Sequence, residues 1–362
     1  MAKDVANHEE RDHALLSPSG ASRWMACTPS ARLEEKHGGE DKSSPFAEEG
    51  TIAHELGEIS LRHDVLGDLS DEDFNEKLNE LMAKPLFNDE MFEEVPKYVD
   101  YCTETFRAAQ TINKDAILSV EQKIDLTEYI PESFGSNDCI ILADGTMEVI
   151  DLKYGKGIAV SASANKQLML YGLGALLDYS LMFDIQQVTL TIVQPRLNNI
   201  SSWTISANDL LAWADKVVRP KAKAAFNGTG ELEAGDHCKF CKVKNRCRAL
   251  SEKNLEIAKY EFSEPSMLTD NEIADIISRT PMLVEWANSI NAYAQSEAIN
   301  NGKVWPGYKL VEGRSNRKWL DEDKVENTLL ANGLEEDEIY TMKLKGIGSI
   351  EKLLGKTKFN AL

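Results

Sequence analysis

Two carboxylates and a lysine cluster around residues 138–153. The run Asp138-Cys139-Ile140-Ile141-Leu142-Ala143 leads into Asp144-Gly145, then Thr146-Met147-Glu148-Val149-Ile150-Asp151-Leu152-Lys153. Asp-Gly between two apolar runs signals a hairpin, because a type I′ turn needs positive φ at both central positions. With Ala143 facing Thr146, counting back along both strands sets Asp138 opposite Asp151. Directly opposed side chains lie about 4.5–5.5 Å apart, where like charges repel, so both carboxylates are expected to share a cation. Lys153, two residues past Asp151, projects from the same face. Mg²⁺ or Mn²⁺ suits such oxygen donors. Such an ion lowers the pKa of a bound water and neutralises charge on a phosphate, while Lys153 could orient the attacking water. The plainer alternative is a solvated hairpin with Lys153 screening two acids, since Asp-x-Lys is common by chance.

Four further groups could do chemistry. His54 and Glu58 are one helical turn apart, and an imidazole could add a metal ligand or simply sit on a helix surface. Gln167 and Tyr171 are likewise one turn apart on an apolar helix; polar groups there need partners, either a phosphate and the lysine or the backbone. Cys238, Cys241 and Cys247 stand close together after His237. In a reducing compartment such clustering reads as ligation. Three local thiolates with a distant one, for which Cys27 is the candidate, could hold a [4Fe–4S] cluster. Three thiolates with His237 could instead hold structural Zn²⁺. Cys139 should point away from Asp138 into the core, and Cys102 lies in an apolar helical pattern. Finally Lys216, Arg219, Lys221, Lys223, Lys239, Lys242, Lys244, Arg246 and Arg248 form a basic run. It could track a DNA backbone or be an ordinary solvated face.

These groups need a scaffold. The chain has 362 residues, 42 % hydrophobic, with a net charge of −20, which argues against a protein that coats nucleic acid through general basicity. No apolar run approaches the roughly 20 residues of a membrane span, and the N-terminus lacks a secretory apolar core, so a cytoplasmic location is expected. Ser44-Pro45 predicts a helix start running to about His63. Residues 71–110 read as an acidic helical insertion, Ile117–Leu126 as a strand before the hairpin, and Ser161–Leu177 as a helix. Gln187–Gln194 reads as a central strand and Leu210–Phe226 as a helix. That order predicts an α/β (α+β) fold, a small mixed sheet flanked by helices. The expected core covers residues 13–250, with a helical insertion at about 64–112. A mainly helical region follows over 265–362, with a short β-element from Tyr308 to Trp319.

Together the motifs resemble the RecB-type branch of the PD-(D/E)XK nuclease superfamily. Gly50, Thr51, His54 and Glu58 match its Gly-Thr-x-x-His-x-x-x-Glu helix, and Gly135 and Asp138 its Gly-x-x-Asp strand. Asp151 and Lys153 match its Asp/Glu-x-Lys, and Gln167 and Tyr171 its Gln-x-x-x-Tyr helix, all in family order. The resemblance implies a restriction-endonuclease-like core. It implies that His54, Asp138 and Asp151 ligate Mg²⁺ or Mn²⁺ with the Leu152 carbonyl, and that Lys153, Gln167 and Tyr171 join Asp138 and Asp151 in catalysis. A subset of the branch, including AddB subunits and CRISPR-adaptation nucleases, carries one cysteine before the core and Cys-x2-Cys-x5-Cys after it. Cys27, Cys238, Cys241 and Cys247 match that layout, which implies an iron–sulfur staple. Over its whole length the chain resembles an uncharacterised bacteriophage and prophage family. Cys139 departs from the polar residue many relatives carry after the strand aspartate, and no helicase motif is present. The implied function is a stand-alone metal-dependent DNA nuclease in the bacterial host cell. It would be an exonuclease on single-stranded DNA or DNA ends, used in phage replication or recombination with other phage proteins. The alternatives are a non-catalytic DNA-binding or assembly module on the same fold and a zinc-stapled protein acting on RNA.

Overall fold

The computed structural model describes residues 14–38, 44–143, 145–257, 268–311, 319–341, 343–354 and 356–359. Two short helices open it, α1 (Ala21–Ala26) and α2 (Ser30–His37). Helix α3 (Pro45–Leu61) starts where expected: the Ser44 side chain accepts the Ala47 N–H and Pro45 occupies the first turn. A π-helical turn, Arg62–Leu66, carries it past His63. The acidic insertion is helical, α4 (Asp71–Met82) and α5 (Glu90–Ile112).

The sheet follows, with β1 (Ile117–Asp125), β2 (Phe134–Ala143) and β3 (Thr146–Leu152) antiparallel in sequence. Ala143 pairs with Thr146 and Gly145 has φ of +74°, as the hairpin predicts. Helix α6 (Lys166–Tyr179) crosses over to β4 (Gln187–Gln194), which lies parallel to β3. It starts five residues later than expected. Asn165 caps it by accepting the Gln167 and Leu168 N–H groups, and Ala164 just before has φ of +51°. A strand absent from the sequence reading, β5 (Asn199–Ser206), pairs antiparallel with β4 across a turn closed by Asn198 at φ +48°. The order is β1-β2-β3-β4-β5, a five-stranded mixed sheet. The 210–226 segment is helical as α7 (Ala207–Trp213), a π turn at Ala214–Val218, and α8 (Arg219–Asn227). Then come α9 (Arg248–Leu255) and α10 (Asp270–Asn300).

Each sheet face carries its own core. Ile140, Leu142, Met147, Val149 and Leu190 pack with Leu168, Leu173 and Leu176 of α6 and with Leu210. On the other face Cys139, Ile141, Ile150 and Leu152 pack with Ile52 and Leu56 of α3 and Tyr98 and Cys102 of α5. Cys102 and Cys139 are therefore core residues, as expected. Helix α6 lies close against the sheet because Gly172 and Gly174 face it: a Cβ at Gly174 would stand 2.7 Å from Ile124, and one at Gly172 2.8 Å from Leu190.

By its contacts the chain divides into compact units Met1–Ser296 and Glu297–Leu362. Where described, the second unit adds α11 (Glu322–Ala331), α12 (Glu336–Ile339), α13 (Ile347–Leu354) and α14 (Lys356–Phe359). Of the expected β-element, 308–311 is not strand and 312–318 lies outside the described residues. Among the described residues no helix is long and apolar enough to cross a membrane.

Candidate functional site

A cleft of about 1060 Å³ opens between α3, α6 and the ends of β1–β3. Its walls include Gly50, Thr51, His54 and Glu58 from α3, Gly135 and Asp138 from β2, Asp151 and Lys153 from β3 and just beyond it, and Gln167 and Tyr171 from α6. All ten residues of the four sequence motifs thus meet on one surface. Ser17, Pro18 and Ser19 close one side.

Strand alternation explains the position of the cleft. Residues two apart on a strand should share a face, and Leu118 and Val120 both pack toward α3 and α5. Ile124, of the same parity, packs toward α6. The alternation slips between them, at Glu121, whose φ is +49°. Strand β2 slips beside it. Cys139 and Ile141 face the α5 core, while Asn137 donates to the Tyr171 carbonyl on α6 at 3.3 Å. The slip opens a gap that polar side chains fill.

Inside the gap each acid has a different partner. Asp138 Oδ1 lies 3.1 Å from His54 Nδ1, and its Oδ2 accepts the Leu152 N–H at 2.7 Å. Asp151 is 3 % exposed, with Lys153 Nζ 2.7 Å from its Oδ2 and 3.1 Å from its Oδ1. That Oδ2 has an ion pair but no aligned hydrogen-bond donor. The β2–β3 ladder ends at Cys139–Ile150. Asp138 and Asp151 are the next step along, where Asp138 bends to the Leu152 backbone.

The charges respond to this setting. Burial opposes ionisation of Asp138, yet the His54 charge and hydrogen bond hold its carboxyl below the usual range. Burial pushes the Asp151 carboxyl up, only partly offset by Lys153. Burial also disfavours charge on His54, but Asp138 outweighs it and carries the imidazole up to about 9. Lys153 is likewise held above its ordinary value, Asp151 overcoming burial. Burial pushes the Tyr171 hydroxyl up to about 12, and Gln167 Nε2 donates to its oxygen at 3.1 Å.

Among the described residues, the group of His, Cys, Asp and Glu whose ligand atoms fall within 4.8 Å of one another is His54, Glu121 and Asp138. Glu121 was not among the expected ligands, and Asp151 turns instead to Lys153. Burial and the Asp138 charge push the Glu121 carboxyl up to about 7. Lys123 also lines the cleft unforeseen. In the sequence Glu121-Gln122-Lys123 interrupts the apolar alternation of β1, but nothing in that interruption singles out the residue that turns into the cleft.

The cysteine region lies elsewhere in the first unit. Polar bonds dock the N-terminal segment onto it: Lys221 to the Met25 carbonyl at 2.7 Å, Arg32 Nε to the Phe226 carbonyl at 2.6 Å, Thr28 to the Thr229 carbonyl at 2.6 Å, and the Lys242 N–H to Glu34 at 2.8 Å. These bring Cys27 within electrostatic reach of Cys238 and Cys247, and Cys238 of Cys241. Cys27, Cys238 and Cys241 are buried and Cys247 partly so. Burial pushes the Cys241 thiol up to about 12. His237 Nε2 lies 2.9 Å from the Glu233 carbonyl.

None of the basic run lines the carboxylate cleft. Lys221 is held by Met25, Lys244 by Glu285 at 2.7 Å, and Arg219 by Asp215 at 3.1 Å and the Tyr129 ring at 4.3 Å. Arg246 lies 5.8 Å over Tyr293. Lys216, Lys223 and Lys242 are exposed.

A solved structure titled "Crystal structure of SSO0001" is 15 % identical over 61 % of this chain and 95 % of its own, with a TM-score of 0.23, too low a likeness to carry a conclusion. The family match is broader. The model described as "Protein of unknown function (DUF2800)" matches residues 13–362, and the chain belongs to that family.

Proposed function

We propose that this protein is a metal-dependent phosphodiester hydrolase acting on DNA, a nuclease of the RecB-type PD-(D/E)XK kind. One observation carries the reading: the four motifs, spread from Gly50 to Tyr171, all line a single cleft. The donors suit a hard cation. Carboxylate oxygens and one imidazole match Mg²⁺ or Mn²⁺, and His54 Nδ1 and Asp138 Oδ1 lie 3.1 Å apart at the cleft.

His54, Asp138 and Asp151, with the Leu152 carbonyl, would hold the ion, which when bound lowers the pKa of water and neutralises phosphate charge. Lys153 keeps its proton beside Asp151 and offers positive charge where the phosphoryl oxygens gain negative charge. The Leu152 N–H holds Asp138 in place. Tyr171 keeps its proton and can donate to a phosphate oxygen, with Gln167 fixing its hydroxyl. DNA ends or single strands are the proposed substrate, in phage replication or recombination.

Cys27, Cys238, Cys241 and Cys247 are proposed to hold a [4Fe–4S] cluster. A tetrahedral zinc with Zn–S bonds of about 2.3 Å would draw its sulfurs to about 3.8 Å apart. Among the described residues no three of these cysteines come within 4.8 Å of one another, and His237 is engaged elsewhere.

The test is cleavage of end-labelled single-stranded, double-stranded and circular DNA with Mg²⁺ or Mn²⁺. Cleavage lost on chelation and in Asp151→Ala supports the reading. No cleavage by the wild type, or equal cleavage by Asp151→Ala, sinks it. DNA binding without cleavage would indicate the non-catalytic module.

A further inference from the structure

Glu121 has no role in the motifs, yet its placement is unusual. On β1, Val120 pairs with Cys139 and Gln122 with Asn137. The register is the same on both sides, so Glu121 stands across from Asp138. One step beyond the Cys139–Ile150 pair, Asp138 stands across from Asp151. Three carboxylates thus form a row perpendicular to three adjacent strands. Three such charges in sequence repel one another, and nothing in sheet packing calls for them.

The backbone adds an independent sign. Glu121 sits at φ +49°, in the left-handed region that a non-glycine residue enters at a cost and that Gly, Asn or Asp would fill more easily. Strain of this kind persists where the surroundings impose it and concentrates at functional positions. Here it accompanies the slip in alternation that turns the Glu121 carboxylate into the cleft. There its ligand atom falls within 4.8 Å of those of His54 and Asp138. The acids nearby are otherwise engaged: Glu58 with Arg62 at 3.4 Å and Glu55 with Lys84. The Lys153 ammonium is taken by Asp151 at 2.7 Å.

We propose that Glu121 is a direct ligand of a divalent cation that it shares with His54 and Asp138. The proposal rests on the reading of the cleft as a divalent-cation site but does not require catalysis. Carboxylate, carboxylate and imidazole make a donor set for Mn²⁺ or Mg²⁺, and the strained strand position is the means by which β1 supplies a ligand that a regular strand would point elsewhere.

The experiment is calorimetric titration of the full chain, freed of divalent ions, with Mn²⁺. Wild type, Glu121→Gln, Glu121→Gly and Glu55→Gln are compared, alongside the DNA cleavage assay. Both Glu121 variants should bind Mn²⁺ at least about tenfold more weakly, while Glu55→Gln binds as wild type. Glu121→Gly should melt no lower than wild type without metal, because glycine accepts the backbone angle, which separates lost ligation from lost fold. Wild-type affinity in Glu121→Gln overturns the proposal, as does a wild type that binds no Mn²⁺. Weakened binding in a protein that cuts no DNA leaves the ligand standing and removes the nuclease. Cleavage with unchanged affinity in Glu121→Gln does the reverse.

Discussion

Replacing Lys153 with methionine isolates the charge that faces Asp151. The pair is 2.7 Å apart, with the Asp151 side chain 4 % exposed and that of Lys153 30 % exposed. Breaking a fully buried pair costs about 3–5 kcal/mol. Solvent at the open side of the cleft reduces that, because a part-exposed lysine contributes less. Protonation sets a ceiling: neutralising an aspartate of ordinary pKa, about 3.9, at pH 7 spans about three units at 1.36 kcal/mol each, or about 4 kcal/mol. We expect Lys153→Met to lose about 2 kcal/mol in metal-free urea unfolding at pH 7. The loss should shrink toward pH 5, since Asp151, whose folded pKa would rise further without its lysine, then takes up its proton more cheaply. It should shrink too on adding Mn²⁺, which binds the folded state. DNA cleavage should fall by at least about 10²-fold, as for loss of a group opposing transition-state charge. Unchanged stability at pH 7 together with cleavage within tenfold of wild type would refute the reasoning.

Three other outcomes are expected. Metal-free stability should fall as pH rises from 5 to 9. Glu121, raised to about 7 by burial and Asp138, favours the folded state less as it ionises between about 4.5 and 7. His54, raised to about 9 by Asp138 against burial, stabilises fully below about 6.5 and loses that contribution through 9; Glu121→Gln should flatten the lower half of a urea-unfolding pH series and leave the upper half. Cys27→Ala should lower both iron content and melting temperature, since a ligand closing a loop of roughly 200 residues restrains the unfolded chain; an unchanged melt would count against the staple. Gly174→Val should cost about 1–3 kcal/mol by overpacking, because its Cβ meets Ile124 at 2.7 Å, and urea midpoints at constant m-value will read it.

Much of the fold was legible because the strongest local signals coincide with real boundaries. Ser44-Pro45 caps α3, the Asp-Gly turn sets the β2–β3 register, and Gln187–Gln194 is β4 to the residue. Strand β5 was not, because an edge strand with Ser201, Ser202 and Thr204 on it buries too little to show apolar alternation. The motif residues of the cleft were each ambiguous from spacing, and only their joint order, through the resemblance, pointed to one surface. Glu121 was not legible, since eight residues link β1 to β2 with no short turn to set their register, and a left-handed glutamate leaves no mark in composition. The basic run is a related case. Charge density along the chain does not reveal that Lys221 and Lys244 are held by partners distant in sequence, Met25 and Glu285, and Arg219 by Asp215 one turn away.

The docking of the N-terminal segment also sets an order of events during synthesis. Arg32, Thr28 and Glu34 find their partners at Phe226, Thr229 and Lys242, some 194 to 208 residues later. At ribosomal speeds of about 5–20 residues per second, those partners emerge roughly 10–40 s after the segment itself. Ser17, Pro18 and Ser19 belong to the same stretch of chain and wall one side of the cleft. That wall packs on Gly135 through Pro18 and is bonded by Ser133 at the Leu16 carbonyl, so a nascent chain can complete the cleft soon after Tyr171 while Thr28, Arg32 and Glu34 still wait for partners not yet made.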